Sequence, residues 1–182
     1  APRQRVDPVV QRPRSQALTP GRLLRFVEEH RLTPTHVLRT HAHADHIEHE
    51  DELGLPVVRT SLEAGDLWIE AIPTPGHSDD MVCFVVNDHA VFSGDTLFKD
   101  AVGGGDFTAI KSAVMDVYMQ MPHDRRVLPG HTDETTIGRE WEENPFVTVW
   151  RGTAPEGTER VRVAGREATL VVWSPDYDGK GK

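Results

Sequence analysis

The run His41-Ala42-His43-Ala44-Asp45-His46 constrains this chain more than any other feature, because it sets four metal-donor side chains within six residues. Four of the chain's ten histidines fall between residues 41 and 49. No ordinary packing role asks for that density. Neutral imidazole is the commonest metal ligand, and imidazole with carboxylate suits zinc, iron or manganese. In an extended segment side chains alternate, so residues 41, 43 and 45 project to one side, while His46 must point elsewhere. His41 and His43 are then available to one metal, and Asp45 and His46 to a neighbouring one. The preceding segment Thr35-His36-Val37-Leu38-Arg39-Thr40 reads as a short strand, which places the donors where a strand gives way to a loop.

The same grammar recurs three times. Leu67 to Ile72 reads as a strand that Pro73-Thr74-Pro75-Gly76 breaks just before His77. Ala90-Val91-Phe92 leads through Ser93-Gly94 to Asp95, and Arg126-Val127-Leu128 through Pro129-Gly130 to His131. Proline cannot continue a central strand, and glycine supplies conformations that a tight turn needs. Strand ends meeting at one sheet edge bring distant ligands together. Pro-Gly-His alone is a weak signal, and Asp95 alone would be a turn aspartate. In this series they complete a candidate ligand set of His41, His43, Asp45, His46, His77, Asp95 and His131. His30, His36, His89 and His123 read as surface or hydrogen-bonded residues, and His49 as a surface neighbour of His46.

Four motifs, His41-Ala42-His43-Ala44-Asp45-His46, Thr74-Pro75-Gly76-His77, Phe92-Ser93-Gly94-Asp95-Thr96-Leu97-Phe98 and Leu128-Pro129-Gly130-His131, resemble the metallo-β-lactamase superfamily. Within it the glyoxalase II-like branch shares Gly-Asp-Thr-Leu-Phe and a bridging aspartate. The resemblance runs from Val6 to Phe146 and implies an α/β fold, an αββα sandwich with metals at one edge. It implies that His41, His43 and His77 hold a first metal, that Asp45, His46 and His131 hold a second, and that Asp95 bridges them. Two zinc ions about 3.5–4 Å apart would share a hydroxide, lowering the pKa of water from about 15.7 towards roughly 7. That hydroxide would attack a small ester or thioester, with Asp45 orienting it. Asp7 is a candidate partner that locks a ligand histidine, or else an ordinary strand-end turn residue.

The chain departs from that branch in ways that bear on substrate. Lys99 to Gly105 replaces the Gly-Cys-Gly-Arg-like segment, Gly76-His77-Ser78-Asp79-Asp80 replaces Gly-His-Thr-x-Gly, and the helical C-terminal domain of that branch is expected to be missing. Only six residues precede Asp7, so the sandwich is expected without its first strands, either by truncation or with another segment covering the sheet edge. Persulfide dioxygenases resemble the chain too, including at Asp7-Pro8-Val9. They imply one iron held by a two-His-one-carboxylate set, His41, His77 and Asp95. A metal-stabilised binding module without turnover is a third reading.

Composition narrows the partners. The formal charge of −9 repels phosphate backbones, which argues for a small-molecule substrate and against a nucleic acid. The single cysteine, Cys83, allows no internal disulfide and reads as a buried strand residue. No apolar run approaches a membrane span and no signal peptide opens the chain, so no membrane partner and a cytoplasmic location are expected. A single domain covers residues 1–182. Val6–Val10 reads as a strand, Thr19-Pro20 as a helix start with Leu23, Leu24 and Val27 buried, and Asp106–Met121 and Asp133–Glu142 as helices. From residue 146 a β extension is expected, with strands at Val147–Trp150, Arg160–Val163 and Thr169–Trp173.

Overall fold

The computed structural model describes residues 20–163 and 165–174. Helix α1 (Pro20–Glu29) leads to β1 (Val37–Leu38), the short helix α2 (Ala44–Ile47) and β2 (Val57–Val58). Strands β3 (Leu62–Ala64), β4 (Leu67–Pro73), β5 (Val82–Val86) and β6 (Ala90–Gly94) come next, then the small pair β7 (Leu97–Phe98) and β8 (Ala101–Val102). Helix α3 (Phe107–Ser112), β9 (Arg126–Pro129), β10 (Thr135–Thr136), α4 (Ile137–Glu143), α5 (Pro145–Trp150) and the hairpin β11 (Glu159–Val163) and β12 (Arg166–Leu170) complete it. The expected Val6–Val10 strand, the Thr19 cap and Asp7 lie outside the described residues.

One six-stranded sheet, in the order β10-β9-β6-β5-β4-β3, organises the fold. Its pairs are antiparallel except β6 with β9. Two antiparallel steps separate β4 from β6, so β4, β6 and β9 all run the same way, and their C-terminal ends share one edge. Alternation along β5 feeds two cores. Cys83 and Val85 join Val91, Val127, Ile110, Val114, Tyr118, Ile137 and Val147 on the helix side. Phe84 and Val86 face Ile69 and, from the separate β1–β2 pair, Leu38. The sheet is thus covered on both faces, giving the α/β layering expected. Truncating Phe84, 1% exposed, to alanine would cost about 3–5 kcal/mol.

Several expected elements differ. The strand expected over 35–40 pairs only at Val37 and Leu38. The extended reading of the ligand run holds only as far as His43, whose backbone is extended and caps α2, so Asp45 and His46 project from a helical turn. Val147–Trp150, expected as a strand, is helical. Asn144 Oδ1 accepts from the Phe146 and Val147 amides and Pro145 occupies the first turn, and that cap overrides the β-branched run. The C-terminal extension therefore begins with a helix, and among the described residues its β structure is confined to the β11–β12 hairpin.

Helix α4 starts later than expected because Thr135 and Thr136 pair with β9 and the Thr136 hydroxyl then caps the helix. Residues 106–121 are not one regular helix. A π turn over Ala113–Val117 succeeds α3, and a 3-10 turn over Tyr118–Gln120 ends the segment. A π turn takes up an extra residue and so re-aims the side chains beyond it. Tyr118 is fully buried there, its hydroxyl donating to Ser93 O at 3.3 Å. Leu24 stays 47% exposed, on the flank of a stripe whose inward residues Phe26 and Val27 are half-buried.

Candidate metal centre

The seven candidate residues come together at the sheet edge where β4, β6 and β9 end. Asp95 directly follows β6, and His77 and His131 sit a few residues beyond β4 and β9. His41 and His43 arrive on the loop after β1, and Asp45 and His46 on α2. Donor atoms of His41, His43 and His77 lie within 4.8 Å of one another, as do those of Asp45, His46 and His131. A third group of the same compactness, His41, His46 and Asp95, overlaps both. Asp95 stands between the two triads, with Oδ2 3.1 Å from His131 Nε2 and 3.7 Å from His77 Nε2 and Oδ1 3.4 Å from His46 Nε2. Asp45 Oδ2 reaches His131 Nε2 at 3.1 Å. His43 and Asp45 are exposed, so the cluster opens to solvent on that side.

Backbone conformation sets this convergence at two glycines. Gly76, at φ 144°, turns the chain into His77, and a Cβ there would lie 2.7 Å from the Ile110 amide nitrogen. At Gly130 the reason is closeness, since a Cβ would lie 2.3 Å from Asp95 Oδ1 and 2.9 Å from His46 Cε1. Gly130→Ala should therefore lower the metal content measured by emission spectrometry. Gly104→Ala, where a Cβ meets nothing within 4 Å, should leave it unchanged.

Two partners of the candidate ligand histidines were not anticipated from the sequence. The His77 ring donates its Nδ1 proton to Gly104 O at 2.9 Å, because a carbonyl only accepts. That fixes the tautomer and leaves Nε2 as a lone-pair donor, 2.8 Å from His43 Nδ1. Thr40 Oγ1 stands 3.1 Å from His41 Nδ1 and turns Nε2 inward. The Gly103-Gly104-Gly105 run was the available signal for the first. Beyond His77, Asp80 holds the loop, accepting from the Ser78 hydroxyl at 2.7 Å and pairing with Arg59 at 2.8 Å.

The electrostatics suit a cation. Burial, then the neighbouring His46 imidazole, pushes His41 down to about 4, so it is a neutral donor at neutral pH. Burial opposes the Asp95 carboxylate, yet the imidazoles of His131 and His46 hold its carboxyl well below the usual carboxylate range. His131 is raised by its hydrogen bond to Asp95, against burial. Three buried atoms, His41 Nε2, His46 Nε2 and Asp95 Oδ1, have no hydrogen-bond partner. His46 Nε2 approaches Asp95 Oδ1 without hydrogen-bond alignment. Leaving such atoms unpaired costs about 1–3 kcal/mol each, which ligation would remove. The residues present therefore fit a metal centre, and the histidine–aspartate cluster is consistent with two ions.

The other histidines stay apart, with His30, His36, His89 and His123 exposed as expected. His49 leaves the cluster to contact Glu52 at 2.9 Å. No helix among the described residues is long and apolar enough to cross a membrane.

No family model matches the chain. Known proteins do. An uncharacterised protein of Mycobacterium tuberculosis is 30% identical over 81% of this chain and 90% of its own length. A probable metallo-hydrolase, YqgX of Bacillus subtilis, is 28% identical over 67% of this chain and 80% of its own. Among solved structures, ETHE1 from Myxococcus xanthus superposes with a TM-score of 0.66 at 30% identity, covering 71% of this chain and 69% of that one. The B3 metallo-β-lactamase BLEG-1 gives 0.65 at 27% identity, over 70% and 84%. With two donor triads meeting at an aspartate on a sheet edge, this chain belongs to the metallo-β-lactamase superfamily.

Proposed function

We propose that this chain hydrolyses a small ester or thioester with a pair of divalent metal ions, zinc foremost, in the manner of the glyoxalase II-like branch. The observation that carries this reading is Asp95 lying between two separate donor triads, which is the arrangement two cations need and one does not. His41, His43 and His77 would hold one ion, Asp45, His46 and His131 the other, and Asp95 both. When bound, such a pair acts as a Lewis acid on a carbonyl oxygen and makes water a nucleophile at neutral pH. The protein's own residues do the rest. Asp45, with a side chain 57% exposed, can accept a hydrogen bond from water and orient it. Gly104 and Thr40 keep the ligand histidines in register.

Lys99, the nearest cation after Gly94-Asp95-Thr96-Leu97-Phe98, is the candidate to meet a substrate carboxylate. Its backbone amide is tied to Thr132 Oγ1 at 3.1 Å, beside His131, and among the described residues its ammonium has no acidic partner. The net charge of −9 supports a small molecule over a nucleic acid.

A mononuclear iron persulfide dioxygenase, with His41, His77 and Asp95 as its two-His-one-carboxylate set, is the second reading, favoured by the likeness to ETHE1 and by His77 Nε2 lying 3.7 Å from Asp95 Oδ2, with His41 grouped with each. A screen of metal-loaded protein against thioesters, lactones and β-lactams separates the two. Hydrolysis of S-acyl thioesters such as lactoylglutathione, at low efficiency and with weaker β-lactam cleavage, is the expected result. Oxygen uptake with glutathione persulfide, with silence on every ester, would replace the hydrolase by the dioxygenase. Silence in both assays would leave the binding module.

A further inference from the structure

Glu140 on α4 is a carboxylate with no exposed surface, and no step of the proposed chemistry uses it. Burying a carboxylate is tolerated only when it is paired and hydrogen-bonded. Here four donors converge on its two oxygens. The Asp100 amide at 2.8 Å and Asn144 Nδ2 at 2.9 Å meet Oε2, and the Thr135 hydroxyl at 2.6 Å and Arg139 Nη1 at 2.8 Å meet Oε1.

These bonds grip the two-residue turn Lys99-Asp100 that joins β7 to β8. Asp100 has φ 64°, a left-handed conformation uncommon outside glycine, which aspartate and asparagine reach more readily than most residues. Arg139 Nη1 also meets Asp100 Oδ1 at 2.8 Å, and Asn144 Nδ2 also donates to Ala101 O at 3.1 Å. The far side of the turn abuts the second metal triad. The Lys99 amide donates to Thr132 Oγ1 at 3.1 Å, and the Phe98 ring stands edge-on to His131 with centroids 6.3 Å apart. His77 is anchored at the opposite end of the β7–β8 pair, where Gly103 N bonds Thr96 O at 3.0 Å and Gly104 O receives the His77 proton.

We infer that Glu140 is a positioning residue for the His131 half of the metal centre, acting through the Lys99–Asp100 turn and leaving the His77 half untouched. The inference rests on the two-metal reading above, and it makes the two halves of the centre separable by one substitution remote from both.

Glu140→Gln in the full chain tests it, since an amide offers one acceptor oxygen and sets its NH2 against donors. Zinc titration against a chelator should give two equivalents for the wild type. In the variant one equivalent should stay tight and the other weaken by roughly 10- to 100-fold, the usual cost of losing an outer-shell partner. Hydrogen exchange on metal-free protein gives a reading that needs no metal. Residues 130–133 should lose protection while residues 76–78 keep theirs.

Glu143→Gln, which removes only an exposed partner of Arg139, should change neither reading. Should Glu140→Gln fail to fold, Thr132→Val cuts the same linkage at its far end and should weaken the same equivalent. Equal weakening of both equivalents, or unchanged exchange at 130–133, would overturn the inference. A wild type that takes fewer than two ions would overturn the two-metal reading instead, and the exchange pattern alone would then decide for or against Glu140.

Discussion

Asp95→Ala is expected to remove most of the metal from this protein. Asp95 is 6% exposed, and its two oxygens face His46 on one side and His131 and His77 on the other. Removing the carboxylate deletes a donor from both halves at once, leaving three imidazoles with no anion on the His41 side and Asp45 as the one carboxylate on the other. Emission spectrometry of protein purified without added metal should find close to two transition-metal ions per chain in the wild type, with zinc foremost. The variant should hold only a small fraction of that, and hydrolysis should fall with it. Normal metal content in Asp95→Ala would contradict the place given to this residue. One iron with negligible zinc in the wild type would favour the oxygenase. Less than about a tenth of an equivalent of any metal, even after reconstitution, would remove both enzyme readings, because a centre of this donor set should bind tightly at neutral pH.

The seven candidate donors were legible in the sequence because they are chemically unusual, and His77, Asp95 and His131 each sit just past a strand halted by Gly or Pro. Their meeting place follows from topology. Three strands running in one direction deliver His77, Asp95 and His131 to the same edge, and the strand-then-breaker pattern carries that information locally. Non-local features were less legible. The Asn144-Pro145 cap is present in the sequence, but the β-branched run after it points to a strand, and a cap with a buried face decides such a contest. The π turn at Ala113–Val117 has no local signature in the sequence, and it precedes Tyr118, whose hydroxyl reaches Ser93 O. Glu140 is one charged residue among several on α4, and only the fold reveals four donors around it. Asp45 and His46 were expected in an extended segment, and a single helical turn beginning at Ala44 moved them without separating them from the other candidate ligands.

His43→Ala should separate hydrolysis from oxygenation more sharply than any other single change. In the two-metal reading His43 is a direct ligand, with Nδ1 2.8 Å from His77 Nε2 and its ring 4.7 Å from that of His41. Losing it should cost hydrolysis more than about a hundredfold, beyond the 10- to 100-fold typical of an outer-shell partner. In the one-iron reading His41, His77 and Asp95 hold the metal, so iron occupancy and oxygen uptake should survive. The interpretation is clean because His43 is exposed and belongs to neither apolar core, so its truncation opens no cavity. The melting temperature of the metal-free protein should be unchanged, which rules out misfolding as the cause of any loss. Metal content and turnover measured on one preparation then give opposite answers for the two reactions. Zinc at about half its wild-type level with hydrolysis abolished supports the two-metal hydrolase. Full iron with intact persulfide oxidation supports the dioxygenase, and wild-type hydrolysis in His43→Ala would exclude His43 as a ligand.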